Sequence, residues 1–473
     1  MEVRVKDEIE GLRRQVKGRV LLSGEPGYDE ARRIWNAMID RRPAVIVQCA
    51  DAGDVPHAIR FAREEDLEIS IRGGGHNIAG SSLSDNGVTI DFSQMKKVQV
   101  DAKAQRAYAE PGATLHDFDQ AVQAHGLATP LGINSTTGIA GLTLGGGFGW
   151  LTRQHGLTID NLVSADLITA DQKKVRASEH SNQDLFWAIR GGGGNFGVVT
   201  QFEFKLHPVG PEILAGLIVY PRSEAKSVLE QYREFVKLAP LDLTVWVVLR
   251  KAPPLPFLPA SVHGQDVVIL AVCYSGGNAH GPDLVRPLLR FGDALGEHVG
   301  PLPYVQWQQA FDPLLTPGAR NYWKSHNFTE LPDGALDTMI EYAGKMPSPQ
   351  CEIFVGHLEG VANRMSAGAT AYGGRSARFV MNVHGRWDDA AQDEQCIAWS
   401  RAFFKAAAPY ASAGAYVNFM TEEESDRVAA AYGPNYARLI EIKKRYDPEN
   451  VFHVNQNIKP GEIAAGAGEK LSA

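Results

Sequence analysis

The chain has 473 residues, of which 44% are hydrophobic and 22% charged, and it carries a formal net charge of −8. This length predicts two domains, because single hydrophobic cores stop growing beyond about 250–300 residues. Because the net charge is negative and the sequence has no basic stripe, we expect neither nucleic acid nor an anionic membrane as a partner.

The sequence carries no targeting or metal signal. Segment 1–18 is charged throughout, so we expect no secretory signal, and no apolar run reaches the roughly 18 residues that a membrane span needs. The cysteines Cys49, Cys273, Cys351 and Cys396 lack the spacing of a metal site or a disulfide framework. We therefore expect a cytoplasmic protein with reduced thiols, no metal site and no membrane partner.

The first part of the chain predicts alternating helices and strands. Segments 27–43 and 51–67 have helical spacing on either side of a buried strand at 44–50. Segment 131–162 is rich in Gly and Thr and lacks periodicity, so we expect an ordered, functional loop there. Strands then return and close the unit near Pro208, which indicates an α+β domain over the first half of the chain.

The pattern changes near residue 211. From there to residue 410, apolar strand-like runs alternate with helices, which predicts a second domain with an antiparallel sheet and helices packed on one face. Segment 411–462 ends in a short helix, a turn and an extended stretch. The last residues, 463–473, are small and charged, which predicts a disordered tail.

Three glycine-rich loops stand out, at 73–75, 145–147 and 191–194. Successive backbone N–H groups in such loops can cradle a pyrophosphate, so the loops predict a large nucleotide cofactor, although ordinary tight turns remain an alternative. The third loop has the G-x-G-x-x-G spacing of dinucleotide-binding folds, but a helix precedes it and a strand follows, which disfavours a Rossmann site. His76 follows the first loop and could bond a cofactor or serve a structural role.

Four long motifs, in this order, resemble one family. They are RGGGHNIAG at 72–80, GIAGLTLGGGFGWLTRQHGLTIDNL at 138–162, DLFWAIRGGGGNFGVVTQFEF at 184–204, and the segment 432–458. Together they resemble the FAD-linked oxidases of the vanillyl-alcohol oxidase/p-cresol methylhydroxylase (PCMH) superfamily, and more closely its berberine-bridge-enzyme-like group.

This resemblance implies an α+β architecture with a two-subdomain PCMH-type FAD-binding domain at 1–210. A substrate-binding domain follows at 211–410, with an antiparallel sheet covered by helices, and segment 411–462 returns to the FAD domain.

The resemblance also implies FAD bound covalently through His76. Members with a second link carry a cysteine where this chain has Asn134, so we expect a single link. The other cofactor-binding residues implied by the motifs are Arg72, Gly73, Gly74, Gly75, Asn77, Asn134, Thr137, Gly138, Gly141, Gly145, Gly146, Gly147, Gly149, Gly197, Val198, Asn455 and Asn457.

The activity implied is hydride transfer from an alcohol, sugar or amine C–H to flavin N5, with O2 reoxidising the flavin to give H2O2. Thr137 stands at a position linked in this family to oxygen access, and its valine-like shape favours an oxidase. A dehydrogenase with a non-oxygen acceptor and a non-catalytic flavin-binding protein remain alternatives. We expect a small-molecule substrate, whereas the oligomeric state has no mark in the sequence.

Four residues are candidates for the chemistry itself. The strand at 376–387 places Asn382 and His384 on one face, where Asn382 could orient a hydroxyl and His384 could act as the base or lie on the surface. Tyr416 could act as a base if its pKa is lowered. Lys324 matches a family lysine that could face the flavin or bond to the backbone.

Overall fold

A computed structural model describes residues 2–277, 280–412 and 414–461. The tail predicted to be disordered, 463–473, lies outside the described residues. Among the helices that are described, none combines the length and the apolar character needed to cross a lipid bilayer.

The N-terminal sheet has the strand order β1–β2–β4–β3, with β1 antiparallel to β2 and the other pairs parallel. The inner strand β2 is buried along its whole length because α3 packs on one face of the sheet and Tyr28 and Ala31 pack against Ile46 on the other. The elements are α1 Glu2–Gln15, β1 Arg19–Leu21, α2 Tyr28–Ala31, β2 Val45–Gln48, α3 Asp54–Glu64, β3 Ile69–Arg72 and β4 Val88–Asp91.

The helix expected over 27–43 is a single turn, α2, and this prediction was wrong. After Arg32 the chain leaves the helix and runs along the first glycine loop, where the Trp35 amide donates to the Gly75 carbonyl at 3.0 Å. Arg72 fixes this course by donating from its guanidinium to the carbonyls of Ala31 and Arg33. Tertiary contacts here override helical spacing.

The second sheet is antiparallel and has the order β5–β6–β10–β8–β9. Helix α4 begins after Thr114 because Thr114 and Asp117 form a capping box, and α4 covers the sheet together with α7. The elements are β5 Val98–Asp101, β6 Arg106–Ala109, α4 Leu115–Gln123, β7 Leu127–Ala128, α5 Ile139–Leu144, α6 Thr152–His155, β8 Leu162–Ile168, β9 Lys174–Ser178, α7 Gln183–Ile189, β10 Val198–Lys205 and β11 His207–Pro208. The expected loop at 131–162 thus contains the short helices α5 and α6.

The large antiparallel sheet has seven strands in the described residues, in the order β15–β12–β14–β13–β17–β18–β16. Helices α8, α11 and α13 cover one face, which confirms the predicted architecture. The elements are β12 Glu212–Pro221, α8 Ala225–Val236, β13 Leu243–Lys251, β14 Asp266–Tyr274, α9 Gly281–Val285, β15 Gly296–Pro303, α10 Tyr304–Gln308, β16 Arg320–Phe328, α11 Asp333–Ala343, β17 Glu352–His357, α12 Val361–Arg364, β18 Phe379–Trp387 and α13 Asp393–Ala407.

Alternation along β18 separates a core face from a polar face, as the sequence predicts. Met381 and Val383 pack under the helices, whereas Asn382 and His384 line a cavity on the opposite side of the sheet. The uncovered face of the large sheet is thereby turned toward the glycine loops.

The C-terminal segment packs back onto the first sheets through α14 Val428–Tyr432 and α15 Tyr436–Tyr446. Leu439 and Ile440 of α15 join the core under the second sheet, and Phe452 joins the core of the N-terminal sheet. The chain passes between sheets from β11 to β12 near residue 210. The domain boundaries at 210 and 410 stay predictions.

Candidate active site

A cavity of about 350 Å³ lies between the glycine loops and the uncovered face of the large sheet. We call it the central cavity. One wall is nearly bare backbone, and the other carries aromatic and polar side chains. The first wall includes Gly73, Gly74, Gly75, Gly138, Gly141, Gly145, Gly193, Gly194 and Gly197; the second includes Trp246, Trp323, Glu352, Phe354, Asn382, His384, Tyr416 and Phe419.

The glycine wall leaves room for a ligand against the main chain. A Cβ added at Gly141 or Gly194 would meet no heavy atom within 4 Å, so these positions open into the central cavity. At Gly74 an added Cβ would lie 2.3 Å from the Gly138 nitrogen, so the first glycine loop touches the backbone just before α5. The described lining contains no Lys or Arg. Phosphates at this wall would therefore be bound by backbone N–H groups.

Several buried polar atoms at the central cavity have no protein partner in the described part of the chain. They include Asn455 Oδ1, the Tyr432 hydroxyl, Asn382 Nδ2 and Trp323 Nε1. A buried polar group left without a partner costs about 1–3 kcal/mol, so such atoms indicate a bound ligand. The glycine wall and these unpaired atoms fit FAD.

His76 lies at the junction of the two walls. Its Nε2 contacts Thr136 Oγ1 at 2.8 Å, and Trp35 stacks on the ring with the centroids 5.0 Å apart. Burial lowers the pKa of His76 to about 3. The imidazole is therefore neutral at physiological pH and keeps one nitrogen lone pair.

The sheet register places Glu352 and Trp323 on either side of His384. His384 Nδ1 lies 3.2 Å from Glu352 Oε1, and its Nε2 lies 3.1 Å from Asn321 Oδ1. Arg250 donates to the other carboxylate oxygen of Glu352 at 2.6 Å. We call Glu352 and His384 the acid–base pair.

The two members of the acid–base pair differ in charge. Burial would raise the pKa of Glu352, but Arg250 and His384 together lower that pKa to about 2, so the carboxylate is ionised. Burial lowers the pKa of His384 against the opposing effect of Glu352, so its imidazole is neutral at physiological pH. An ionised Glu352 accepts from Nδ1–H and leaves the Nε2 of His384 as the basic atom.

Tyr416 closes the central cavity next to the glycine loops. Its hydroxyl oxygen accepts from the Gly147 amide at 3.2 Å and from Asn418 Nδ2 at 3.0 Å. Burial nevertheless raises the pKa of Tyr416 to about 12, so the lowered pKa required for a base is not found. With its oxygen occupied by two donors, the phenol has its own proton free to donate.

The central cavity brings together most of the predicted site residues. Besides His76, they are Gly73, Gly74, Gly75, Asn77, Asn134, Thr137, Gly138, Gly141, Gly145, Gly197, Asn455, Tyr416, Asn382 and His384. Arg72, Gly146, Gly147, Gly149, Val198 and Asn457 do not line it. Gly149 shows why: an added Cβ would lie 1.6 Å from the Leu131 carbonyl oxygen, so this glycine serves loop packing.

Lys324 also lies outside the central cavity. Its ammonium pairs with Glu423 at 2.6 Å and Glu424 at 3.3 Å, and it donates to the Thr421 hydroxyl at 3.2 Å. These contacts join strand β16 to the segment after residue 420. The catalytic role of Lys324 stays a prediction.

Sequence reasoning missed Trp35, Thr136 and Glu352. The spacing of segment 27–43 predicts a helix through Trp35, and Thr136 is one of several threonines without a distinguishing pattern. Glu352 could have been found, because CEIFVGH alternates and places Glu352 and Phe354 on one face. Pairing of that strand with β18 then puts the carboxylate beside His384.

Comparison with known proteins agrees with this geometry. Residues 43–178 match the family model of the FAD binding domain, and residues 415–459 match the model described as berberine and berberine like. The fold and the site thus define an FAD-dependent oxidoreductase.

The relatives narrow this class. An uncharacterized FAD-linked oxidoreductase of Bacillus subtilis (strain 168), YgaK, is 31% identical over 94% of this chain and 98% of its own length. The (R)-6-hydroxynicotine oxidase of Paenarthrobacter nicotinovorans is 30% identical over 94% of this chain and 97% of its own. The crystal structure of 6-hydroxy-D-nicotine oxidase from Arthrobacter nicotinovorans superposes with a TM-score of 0.85, at 27% identity, over 94% of this chain and 98% of that one. The chain belongs to the berberine-bridge-enzyme-like family of FAD-linked oxidoreductases.

Proposed function

We propose that this enzyme is an oxidase of a small-molecule alcohol, sugar or amine. The observation that carries the proposal is the acid–base pair, which faces the same cavity as His76 and the glycine wall. Bound FAD would supply the hydride acceptor, its N5 atom, and would return the electrons to O2 with formation of H2O2. The chain's own residues would bind the substrate, orient its C–H bond and take its proton.

His76 is the proposed attachment point of FAD, through a single covalent bond. Its imidazole is neutral because burial lowers its pKa to about 3, and a neutral nitrogen is a nucleophile. The second link of bicovalent relatives needs a thiol, and this chain has Asn134 at that position. The four cysteines are free, buried thiols.

The acid–base pair is the proposed proton acceptor. On accepting a proton from the substrate's O–H or N–H, His384 would become an imidazolium whose Nε2–H donates to Asn321 Oδ1, 3.1 Å away. Glu352 would stabilise the imidazolium through Nδ1–H. Because the carboxylate is already ionised and paired with Arg250, the pair is ready before the substrate binds.

Two donors would hold the substrate heteroatom. The Tyr416 hydroxyl has its own proton free, and the Asn382 side-chain nitrogen lacks a protein partner in the described residues. Both residues line the central cavity. As the heteroatom loses its proton, these donors would stabilise the developing negative charge, so both are proposed to orient substrate and neither to act as the base.

Oxygen is the proposed electron acceptor. Thr137 lines the central cavity, and its small side chain would leave a path for O2 to the flavin. A dehydrogenase with another acceptor would share every other feature of the site. Oxygen consumption during turnover separates the two activities.

The test begins with the purified, flavin-loaded protein. Acid precipitation should leave the yellow colour in the pellet, peptide mapping should place the flavin on His76, and the His76→Ala variant should release its flavin. A panel of alcohols, sugars and amines should then bleach the flavin without oxygen and consume O2 with it. Bleaching without O2 uptake would replace the oxidase with a dehydrogenase, and flavin in the acid supernatant would refute the covalent link.

A further inference from the structure

A chain of hydrogen bonds connects Asn134 to the ring of His76 through Thr136. Thr136 Oγ1 lies 2.7 Å from Asn134 Oδ1 and 2.8 Å from His76 Nε2. Asn134 sits where bicovalent relatives have the second attachment point, and Thr136 lies between it and His76. The donor and the acceptor of each of these hydrogen bonds can be assigned by starting from the amide of Asn134.

The amide of Asn134 has one possible orientation. Its Nδ2 donates to the Leu315 carbonyl at 3.2 Å, and its Oδ1 accepts from the Thr136 backbone amide at 3.0 Å. A flipped amide would place an NH2 group against an N–H and a carbonyl oxygen against a carbonyl oxygen. Asn134 Oδ1 must therefore accept the proton of the Thr136 hydroxyl as well.

The direction at Thr136 then fixes the tautomer of His76. A threonine hydroxyl has one proton, and here that proton points to Asn134, so Oγ1 can only accept from His76. The proton of the neutral imidazole must therefore be on Nε2. The other nitrogen, Nδ1, keeps its lone pair and lies 3.5 Å from Thr137 Oγ1.

We propose that Asn134 and Thr136 are positioning residues that hold His76 as the Nε2–H tautomer and so make Nδ1 the atom that bonds to the flavin. This inference rests on the proposed link through His76. The new bond joins Nδ1 to the flavin methyl carbon, and one methyl C–H bond and the imidazole N–H bond are broken. The two hydrogens and two electrons released are taken up by O2, which becomes H2O2.

The Leu315 carbonyl, which accepts from Asn134, also fixes the orientation of the His76 ring through Trp35. Leu315 O accepts from Asn134 Nδ2 and from Trp35 Nε1, the latter at 2.9 Å, and Trp35 stacks on His76 with 23° between the ring planes. One acceptor thus anchors both the residue that sets the tautomer and the residue that sets the ring face. We call the hydrogen bonds from Asn134 through Thr136 to His76 the relay. In this protein the relay occupies the position of the second covalent link.

The first experiment measures the tautomer without any covalent chemistry. The full-length chain is produced in riboflavin-starved cells with ¹⁵N-labelled histidine, and the His76 ring is assigned by its loss in His76→Ala. The ring should show a protonated Nε2 and a bare Nδ1. A protonated Nδ1 would overturn the proposal.

The second experiment measures attachment. FAD is added to the flavin-free chain, and covalent flavin is followed with time in the acid-denatured protein. Thr136→Val removes the acceptor, so the attachment rate should fall about tenfold or more, and part of the flavin should be bonded at Nε2. Thr136→Ser keeps the hydroxyl and should stay within about twofold of the unmodified chain.

Asn134 provides a second, independent variant. Asn134→Leu frees the Thr136 hydroxyl to donate to Nε2, which should shift the proton of the flavin-free ring toward Nδ1. Linkage isomers are separated after digestion, by comparison with synthetic Nδ1- and Nε2-linked histidylriboflavin. Unchanged tautomer, rate and isomer in both Thr136→Val and Asn134→Leu would overturn the relay.

The outcome distinguishes this proposal from the proposed covalent link. If the unmodified chain forms no covalent flavin, the link fails, and the ring tautomer still decides whether the relay exists. If the link forms at Nδ1 but Thr136→Val changes neither the tautomer nor the isomer, the link stands and the relay is refuted.

Discussion

Trp35 stacks on His76 with the ring centroids 5.0 Å apart, and the same indole lies 5.5 Å from Trp323 and 6.5 Å from the ring of His384. One side chain from an irregular N-terminal segment therefore touches both the proposed attachment point and the acid–base pair. Trp35 is buried, and its N–H is bound by Leu315 O. Its position places one aromatic ring between the proposed attachment point and the aromatic wall.

We predict that Trp35→Ala impairs flavin attachment and stability together. Loss of a buried tryptophan costs about 3–5 kcal/mol, and the unstacked His76 ring should react about tenfold more slowly. Trp35→Phe keeps an aromatic face but loses the hydrogen bond and part of the buried ring, so it should attach flavin at an intermediate rate and lose about 1–3 kcal/mol. Urea unfolding and the time course of covalent flavin measure the two effects. Equal attachment rates in all three proteins would contradict a role for stacking.

A second prediction concerns Tyr416. If its hydroxyl donates to the substrate heteroatom, Tyr416→Phe should slow flavin reduction about tenfold to a hundredfold, while flavin attachment stays normal. The measurement is anaerobic stopped-flow reduction with any substrate found in the panel. Tyr372→Phe is a matched control, because Tyr372 is a buried neighbour of Tyr416 that does not line the cavity. A slower reduction in both variants alike would indicate general loosening of the region.

The sequence predicts most of the scaffold because its signals are local. Alternation along β18 predicts that Asn382 and His384 share one face, which lines the central cavity. The glycine loops predict a wall of exposed backbone. The prediction of a helix over 27–43 was wrong although Tyr28, Ala31 and Trp35 have helical spacing, because such spacing also occurs in irregular segments. The bond from the Trp35 amide to Gly75 O decides otherwise, and no local pattern encodes that contact.

The missed site residues depend on contacts between distant segments. Glu352 looks like a solvent-facing carboxylate until strand pairing sets it beside His384 and Arg250. The proposed role of Thr136 depends on its contact with His76, which lies 60 residues earlier in the chain. Lys324 likewise pairs with two carboxylates that lie about 100 residues later in the chain, a contact that no local pattern encodes.

The acid–base pair predicts a definite pH dependence. His384 must be neutral to accept a proton, and burial holds its pKa below the usual 6.5. The rate of flavin reduction should therefore be flat near pH 7 and fall as the pH drops through the lowered pKa of His384. Glu352, with a pKa of about 2, stays ionised throughout this range. A rate that rises as the pH falls from 7 to 5 would exclude His384 as the base.

Substitutions at His384 and at Glu352 test the two members of the acid–base pair separately. His384→Asn should abolish the acid limb of the pH profile and slow flavin reduction at least about a hundredfold. Glu352→Gln should also slow reduction, because the imidazolium loses its partner, and it should destabilise the fold by about 3–5 kcal/mol since Arg250 is left uncompensated. An unchanged profile in His384→Asn would move the search for the base elsewhere in the cavity.

The buried pair Lys443–Asp447 predicts how the C-terminal segment is held at the cofactor wall. The Lys443 ammonium donates to Asp447 at 2.6 Å and to the Asn195 carbonyl at 2.8 Å, and both members of the pair are fully buried. Asn195 lines the central cavity directly after Gly194. The pair therefore joins α15 to the third glycine loop.

Lys443→Met leaves the Asp447 carboxylate buried without its partner, so the free energy of unfolding should fall by about 3–5 kcal/mol. The third glycine loop should loosen as well, and the isolated variant should contain less FAD. Lys444→Met provides the control on the same helix, because the Lys444–Glu441 pair is exposed and should contribute less than about 1 kcal/mol. Urea unfolding and flavin content are measured side by side. Similar losses in the two variants would show that the buried pair does not anchor the cofactor wall.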